Sequence, residues 1–315
     1  MTRIGKHLLP VSIFLVGLFT PHFSFAQANS NQVATLRWYP AITGLSFPVG
    51  SSPYGLAFDG ANIWVASYVG SVVTKLRASD GAVLSTTPLS VSPYFIAYDG
   101  TNVWTSTYGN NTVIKIRGSD GAVLATYTVG HGTTGLAFDG SSMWVANSYD
   151  NTVSKLRPSD GAILGTYAVG TFPENLAYDG ANMWVSNYSS STLTKLRGYD
   201  GANLGTFSVP NPEGLAFDGA NIWATNYIAS TVTKVRASDG AVLGTFPGMA
   251  NPFGIAFDGV NIWVANLGGA WVTKLRASDG FNLGRFATPS VCLGVAFDGA
   301  NVWVGNYYAA AVSKM

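Results

Sequence analysis

Few side chains in this 315-residue chain are suited to acid–base or metal chemistry. The sequence contains only two glutamates, Glu174 and Glu213, and a single cysteine, Cys292. Carboxylates bind divalent cations through their oxygens, and two that lie close together can share one proton and act as an acid/base pair. The chemistry open to the chain therefore depends on whether the fold brings Glu174 and Glu213 together.

A repeat of about forty residues determines where these glutamates lie. Phe/Tyr-Asp-Gly followed by Trp recurs with a spacing of 40 residues and a single spacing of 39. Each unit reads as four short strands rich in Val, Thr and aromatic residues, separated by Gly, Asn and Asp. Four strands in forty residues are typical of a propeller blade. The seven Asp-Gly aspartates are Asp59, Asp99, Asp139, Asp179, Asp218, Asp258 and Asp298.

The two ends of the chain predict how the ring closes. The last repeat stops at "AVSKM", after its third strand, and the segment 35–50 resembles the missing fourth strand. We therefore predict an all-β, seven-bladed β-propeller with four antiparallel strands per blade, in which the N-terminal strand completes the last blade. Such closure leaves no unpaired radial edge.

The repeated residues themselves are interpreted as structural. A tryptophan at one fixed position in every blade is expected to pack between neighbouring sheets. The Asp-Gly pairs are typical turn formers, and the repeated Lys and Arg of the third strands are expected to form modest surface pairs with aspartates. Cys292 is expected to be a buried packing residue.

Residues 1–26 have the pattern of a secretory signal peptide. A basic start precedes a short apolar run and the small residues of "SFAQA", which predict cleavage after Ala26 or Ala28. Residues 27–34 are assigned to a short leader and 35–315 to the propeller. We therefore expect a secreted or periplasmic protein, with no membrane span because the apolar run is too short.

The bulk composition limits the classes of partner. The net charge is +1 and charged residues make up 10% of the chain, so no electrostatic footprint for nucleic acid is present. We expect a monomer whose partner is a protein or a small-molecule or glycan ligand. No cofactor is certain, and a divalent cation such as Mg or Ca is the one candidate.

The segments "MWVSNY", "IWATNY" and "IWVANL", together with "VTKLRASDG", resemble the YVTN-type β-propeller repeat of secreted bacterial proteins. The same group includes propellers similar to streptogramin lyases. That resemblance implies a seven-bladed ring whose channel mouth uses His and Glu residues with a magnesium ion. In this chain His131, Glu174 and Glu213 are the residues that could fill these positions, and His131 is the only histidine after the signal peptide.

Differences among the repeats predict a binding face. The Asp-Gly turns are nearly invariant, whereas the loops at the opposite blade ends vary, and we call that side the variable face. Five residues before each Asp-Gly aspartate, where the chain enters the innermost strand, a ring of residues is predicted to surround the channel mouth. Tyr149, Tyr188 and Tyr227 are further ligand-binding candidates on this face. The ring comprises Tyr54, Tyr94, Thr134, Glu174, Glu213, Phe253 and Leu293.

Three functions remain open from the sequence, and the third is a purely structural envelope or matrix protein. The first is a non-enzymatic binding scaffold that uses the variable face. The second is a metal-assisted lyase or hydrolase in which Glu174 and Glu213 hold a metal, and these two with His131 are the catalytic candidates. A simpler interpretation is that both glutamates only solvate an exposed rim.

Overall fold

The computed structural model describes residues 45–315, and nearly all of them lie in short strands and tight turns. Blades 1 to 6 take successive groups of four strands from β2 to β25, and blade 7 contains β26, β27, β28 and β1. The strands are β1 (Leu45–Pro48), β2 (Pro53–Phe58), β3 (Asn62–Ser67), β4 (Val72–Arg77), β5 (Val83–Pro88), β6 (Pro93–Tyr98), β7 (Asn102–Thr107), β8 (Thr112–Arg117), β9 (Val123–Thr128), β10 (Thr133–Phe138), β11 (Met143–Asn147), β12 (Thr152–Leu156), β13 (Ile163–Ala168), β14 (Pro173–Tyr178), β15 (Asn182–Asn187), β16 (Thr192–Arg197), β17 (Asn203–Ser208), β18 (Pro212–Phe217), β19 (Asn221–Asn226), β20 (Thr231–Arg236), β21 (Val242–Pro247), β22 (Pro252–Phe257), β23 (Asn261–Asn266), β24 (Trp271–Arg276), β25 (Asn282–Ala287), β26 (Cys292–Phe297), β27 (Val302–Asn306) and β28 (Ala311–Lys314).

The strands form seven four-stranded antiparallel sheets, which confirms the predicted propeller. The first strand of each blade contacts that of the next, and β26 contacts β2, so the inner strands form a closed ring. Blade 7 has the strand order β1-β28-β27-β26, with Leu45 opposite Lys314. The N-terminal strand thus completes the last blade. The predicted signal peptide (1–26), leader (27–34) and first ten residues of the predicted propeller (35–44) lie outside the described residues.

Each Asp-Gly turn holds the tryptophan that follows it. In blade 1, one Asp59 carboxylate oxygen accepts hydrogen bonds from the Ala61 and Asn62 amides at 2.9 and 2.7 Å. The other oxygen accepts the indole N–H of Trp64 at 2.8 Å. Burial opposes ionisation of Asp59, but these hydrogen bonds outweigh it and lower the pKa of the carboxyl. The same Asp–Trp bond occurs in all seven blades.

The tryptophans pack between blades, as predicted. Trp64 of blade 1 is fully buried and belongs to a cluster with Ile96, Val103 and Ile116 of blade 2. Burial of an aromatic ring of this size contributes several kcal/mol per blade interface. Cys292 is likewise fully buried, in the cluster between blades 6 and 7, where the packing role predicted for it is confirmed. The core is therefore divided into a series of similar interfaces between sheets.

Five of the seven repeated lysines differ from the prediction, because they are buried and not part of surface pairs. Lys155 is 6% exposed, lies 4.9 Å from the centroid of the Trp144 ring, and donates to the Gly198 carbonyl of the next blade at 2.5 Å. Its Nζ also lies 3.5 Å from Asp139 Oδ2. The repeated arginines do form exposed pairs, such as Arg157 with Asp160 at 2.9 Å. The repeated lysine thus links two neighbouring blades, whereas the repeated arginine pairs only with an aspartate of its own turn.

The prediction that the chain has no membrane span refers to membrane-crossing helices. Among residues 45–315, no helix is long and apolar enough to cross a bilayer.

This contrast between Lys and Arg predicts unequal stability effects. Lys155→Met should destabilise the fold by about 2 to 3 kcal/mol, because it removes a charged hydrogen bond and a cation–π contact from a buried site. Arg157→Met, two residues further along the chain and just past the end of β12, should cost less than about 1 kcal/mol because its ion pair is exposed. Denaturant unfolding of both variants measures the difference. Equal losses would show that the lysine does not join the blades.

Candidate functional site

The innermost strands place the predicted ring at one end of the channel. The ladder between the first two strands is irregular at the same point in every blade, immediately after the first residue of the inner strand. In blade 4 the register shifts between Pro173 and Asn175, so Glu174 is the bulged residue. Bulges re-aim side chains, and here the bulged position carries the ring residues.

Glu174 and Glu213 lie in adjacent blades and are both buried, with 8% of each residue exposed. Burial raises the pKa of Glu174 to about 8. Burial and the nearby Glu174 carboxyl raise the pKa of Glu213 well above its usual range. The structure thus brings the two carboxyls close enough to influence each other's ionisation. The interpretation of these residues as an exposed, solvated rim is wrong, because the ring lies inside the mouth.

The environment of the pair contains no compensating cation. Within residues 45–315, no Lys, Arg or His forms an ion pair with either glutamate. Glu174 Oε2 is buried and accepts no hydrogen bond from any residue that the structure describes. A buried polar oxygen without a partner is costly, and six other side-chain atoms of the described residues are in the same state. None of those six belongs to an ionisable group.

Three aromatic ring members meet over the channel. Tyr54 stacks on Tyr94 with centroids 3.9 Å apart, and their hydroxyls are hydrogen-bonded. Tyr54 also packs edge-on against Phe253 at 5.3 Å. Burial raises the pKa of Tyr54 and Tyr94, and the charges of Glu174 and Glu213 add to this effect. The predicted ligand-binding residues Tyr54, Tyr94 and Phe253 are therefore assembled in one cluster beside the glutamates.

Further aromatic rings continue from this cluster along the variable face, and we call the series the aromatic arc. Tyr94 contacts Tyr108 at 5.1 Å, and the Tyr108 hydroxyl is hydrogen-bonded to that of Tyr149 at 2.6 Å. Each ring lies within 6.4 Å of the next, centroid to centroid, from blade 1 to blade 5. The arc comprises Tyr68, Tyr94, Tyr108, Tyr149, Phe172, Tyr188 and Tyr227.

The other ring members position backbone. Thr134 is fully buried, and its hydroxyl donates to the carbonyl of Pro173 at 3.0 Å, directly before Glu174. Ser148 donates to the same carbonyl. The Ser186 hydroxyl donates to the Glu213 carbonyl at 2.6 Å. Thr134 is thus placed to hold the strand that carries Glu174, and not to present a free hydroxyl to a ligand.

His131 lies apart from the glutamates. It is exposed on the variable face, where its Nδ1 lies 2.9 Å from Asp150 Oδ1 and its amide donates to Asp150 Oδ2 at 2.7 Å. These hydrogen bonds lower the pKa of Asp150. In the described part of the chain, no three His, Cys, Asp or Glu side chains come together as a metal site. The third candidate catalytic residue therefore does not join the pair.

Two residues at the mouth were missed by the sequence reasoning. Phe95 follows Tyr94 at a position that is glycine in five other blades, and its ring stacks with Phe253 at 6.3 Å. Because blades 2 and 6 are not adjacent, this contact crosses the channel. Phe172 of the arc was also missed. A comparison of the repeats at the residue after the ring position would have singled out Phe95.

The glycines at that position allow the inner strands to approach closely. A Cβ on Gly135 would lie 2.6 Å from the Glu174 carbonyl oxygen, and one on Gly214 would also collide with the strand of the next blade. The narrow channel encloses a cavity of about 150 Å³. Its wall includes Phe95, Leu136, Asn175, Leu215 and Phe253, while polar atoms make up the larger part of its surface. Neither glutamate lines this cavity.

Comparison with known proteins supports the fold. No protein-family model matches the chain, and no curated protein sequence matches it. A solved structure of streptogramin B lyase is similar, with a TM-score of 0.73, 18% identity, and coverage of 86% of this chain and 95% of that one. A hydrazine synthase of Kuenenia stuttgartiensis gives a TM-score of 0.74 and 17% identity over 84% of this chain and 96% of that one. The resemblance to streptogramin lyase-like propellers is thus confirmed at the level of the fold.

The buried carboxyl pair predicts an unusual dependence of stability on pH. The unfolded chain loses these protons near pH 4.5, whereas folded Glu174 keeps its proton to about pH 8. Each carboxyl should therefore destabilise the fold by about 1.4 kcal/mol per pH unit across that interval. The Glu174→Gln/Glu213→Gln variant should gain stability relative to wild type as pH rises from 5 to 8, measured by denaturant unfolding.

Asp150→Asn is the matched control for this measurement. It removes an exposed carboxylate from the same face, and Asp150 is already ionised at pH 5 because its pKa is lowered. This variant should differ from wild type by less than about 1 kcal/mol at both pH values, because the pair of Asp150 with His131 is exposed. A Gln variant that differs from wild type equally at pH 5 and pH 8 would contradict the burial of the pair.

Proposed function

We propose that this protein is a non-enzymatic binding scaffold that takes its ligand on the variable face at the channel mouth. The observation that carries this proposal is the aromatic arc, which extends across five blades and includes Tyr94 of the ring that also holds the two buried carboxyls. Concave sites that combine aromatic walls with a few polar groups are typical of ligand binding. Rings that contact one another are also rigid, which lowers the entropic cost of binding.

The two faces of the ring support the choice of this side. The opposite face consists of Asp-Gly turns whose carboxylates are occupied by their own indole and amide groups. Their arginines are paired within the turn. These repeated groups have little left to offer a ligand, whereas the variable face concentrates the residues that depart from the repeat.

The cellular location is part of the proposal and rests on the first 28 residues, which lie outside the described chain. We infer export to the periplasm or the medium after cleavage at Ala26 or Ala28. A monomer suits this function, because β1 pairs with β28 and so completes the last blade within one chain.

A metal-assisted lyase or hydrolase is the second candidate. One observation favours it: two adjacent carboxyls with raised pKa are the arrangement that general acid–base catalysis uses. The donor set fits a divalent ion poorly, because Mg and Ca bind six or more oxygens and the neighbours of the pair are aromatic rings. No reaction step is therefore derived through a metal.

A screen of small sugars, planar aromatics and organic cations tests the binding function. Hits at millimolar concentration should raise the melting temperature of wild type, and the Tyr149→Ala/Tyr188→Ala variant should lose most of this shift. A ligand at one hundred times its Kd stabilises the folded state by about 2.7 kcal/mol. Addition of Mg or Ca alone tests the second candidate in the same assay.

Tyr199→Ala is the matched control for the aromatic arc. Tyr199 is 75% exposed and lies in the turn before Asp200, on the opposite face. Its replacement should leave the shifts unchanged. Hits that survive loss of the arc tyrosines, or a screen in which no compound stabilises the protein, would contradict the assigned face.

A further inference from the structure

The carboxyl pair differs from every other acidic side chain of the repeats in the groups that hydrogen-bond to it or balance its charge. The aspartate carboxylates accept bonds from indole, amide or guanidinium groups, as Asp139 does from Trp144 and Asp160 from Arg157. Glu174 is 8% exposed, and its Oε2 has no partner within residues 45–315. Six other buried side-chain atoms of the described residues lack a partner, but Glu174 Oε2 is the one that belongs to an ionisable group. A ligand there would supply the missing donor or charge.

The walls around this acceptor are aromatic. Tyr54, Tyr94 and Phe253 occupy the same position of the innermost strand as the two glutamates, and Tyr54 contacts Phe253 at 5.3 Å. Burial is the largest cause of the raised pKa of Tyr54 and Tyr94, and the charge of Glu174 adds to it. Aromatic faces attract cations through the ring quadrupole, and the attraction is strongest where water is excluded. The mouth therefore offers two features that favour a positive charge, one ionisable and one permanent.

A divalent metal or a neutral sugar would complement fewer of these groups than an organic cation. A divalent metal would need several further oxygens, and its hydration would be opposed by the surrounding rings. A neutral sugar would stack on the aromatic arc, but it would leave two buried acids without a counter-charge. An organic cation answers both the carboxyls and the rings, because its charge is spread over an apolar surface.

We propose that the channel mouth binds an organic cation, with an alkylated ammonium group held between the tyrosine rings and against Glu174 and Glu213. This inference rests on the proposed function, since it names the ligand class of the same site. The ammonium group would sit where Glu174 Oε2 lacks a partner, and the aromatic arc would contact the rest of the ligand.

The pH response of binding follows from the groups that face the pair. These are the two glutamates themselves and the hydroxyls of Tyr54, Tyr94, Tyr108 and Tyr188, and the tyrosines stay protonated because their pKa values are raised. Glu174, whose pKa is raised to about 8 by burial, is therefore the group that titrates in this range, and burial raises the pKa of Glu213 as well. A cation is bound best by the ionised form, so its affinity rises with pH and its binding releases a proton near pH 7.

Calorimetric titration of the full chain with tetramethylammonium and choline tests the proposal, and 3,3-dimethyl-1-butanol serves as the uncharged analogue of choline. Ionisation of one group with a pKa near 8 predicts an affinity for the cations that is about 20-fold higher at pH 8.5 than at pH 6.5. The uncharged alcohol should bind weakly and equally at both pH values. Titrations in two buffers of different ionisation enthalpy should show that about one proton is released at pH 7.

Variants distinguish the contribution of the glutamate pair to binding from that of the other charged residues on the variable face. Glu174→Gln/Glu213→Gln should lose the pH dependence and at least about tenfold in affinity at pH 8.5. Asp150→Asn should keep both. Glutamine is similar in size to glutamate, so a folded variant that still binds the cation with an unchanged pH profile would overturn the proposal.

The outcomes also distinguish this inference from the function on which it rests. Equal binding of choline and its uncharged analogue, or tighter binding of a sugar or of Mg alone, would overturn the cation while leaving the mouth as a binding site. Binding of every probe that is unaffected by Tyr149→Ala/Tyr188→Ala, or no binding of any, would remove the binding function as well.

Discussion

The hydrogen bond from the tryptophan indole to the Asp-Gly carboxylate is the interaction on which the rest of the structure depends. It fixes a large ring at one angle in each sheet, so that the next sheet can pack on it. The lysine above the ring then donates to a carbonyl of the following blade. Turn, core and blade contact are therefore satisfied together by three residues, and each buried charge has a partner, as low-dielectric surroundings require.

Because these residues satisfy the scaffold, other positions carry little structural duty. The ring position shows this most clearly, since it accepts Tyr, Thr, Glu, Phe and Leu in different blades without a change of strand pairing. Two adjacent blades use the position for glutamate, against the preference of carboxylates for water. Burial of these two carboxyls lowers the stability of the fold only at the mouth. The fold tolerates this loss because its stability comes from the blade interfaces and not from the mouth.

The period, the turns and the tryptophans predicted the fold because each is a local signal repeated seven times, and the ring of Tyr54, Glu174 and their counterparts followed from position in the repeat. Burial was not predictable in the same way. Whether Glu174 meets water depends on rings from blades 1, 2 and 6, and Phe95 reaches across the channel only in the assembled ring. The lysines were misjudged for a similar reason, because their acceptors are carbonyls of the neighbouring blade.

The pairing of β1 with β28 gives the protein a slow final step in folding. Each blade interface joins residues about forty positions apart, and so it can form as soon as two neighbouring repeats exist. The last ladder joins Leu45 to Lys314, at opposite ends of the described chain, and spans only four residue pairs. Closing so long a loop costs chain entropy before the contacts of this ladder have formed. The open ring, in which the outer edge of β28 is unpaired, is therefore the species most prone to aggregate.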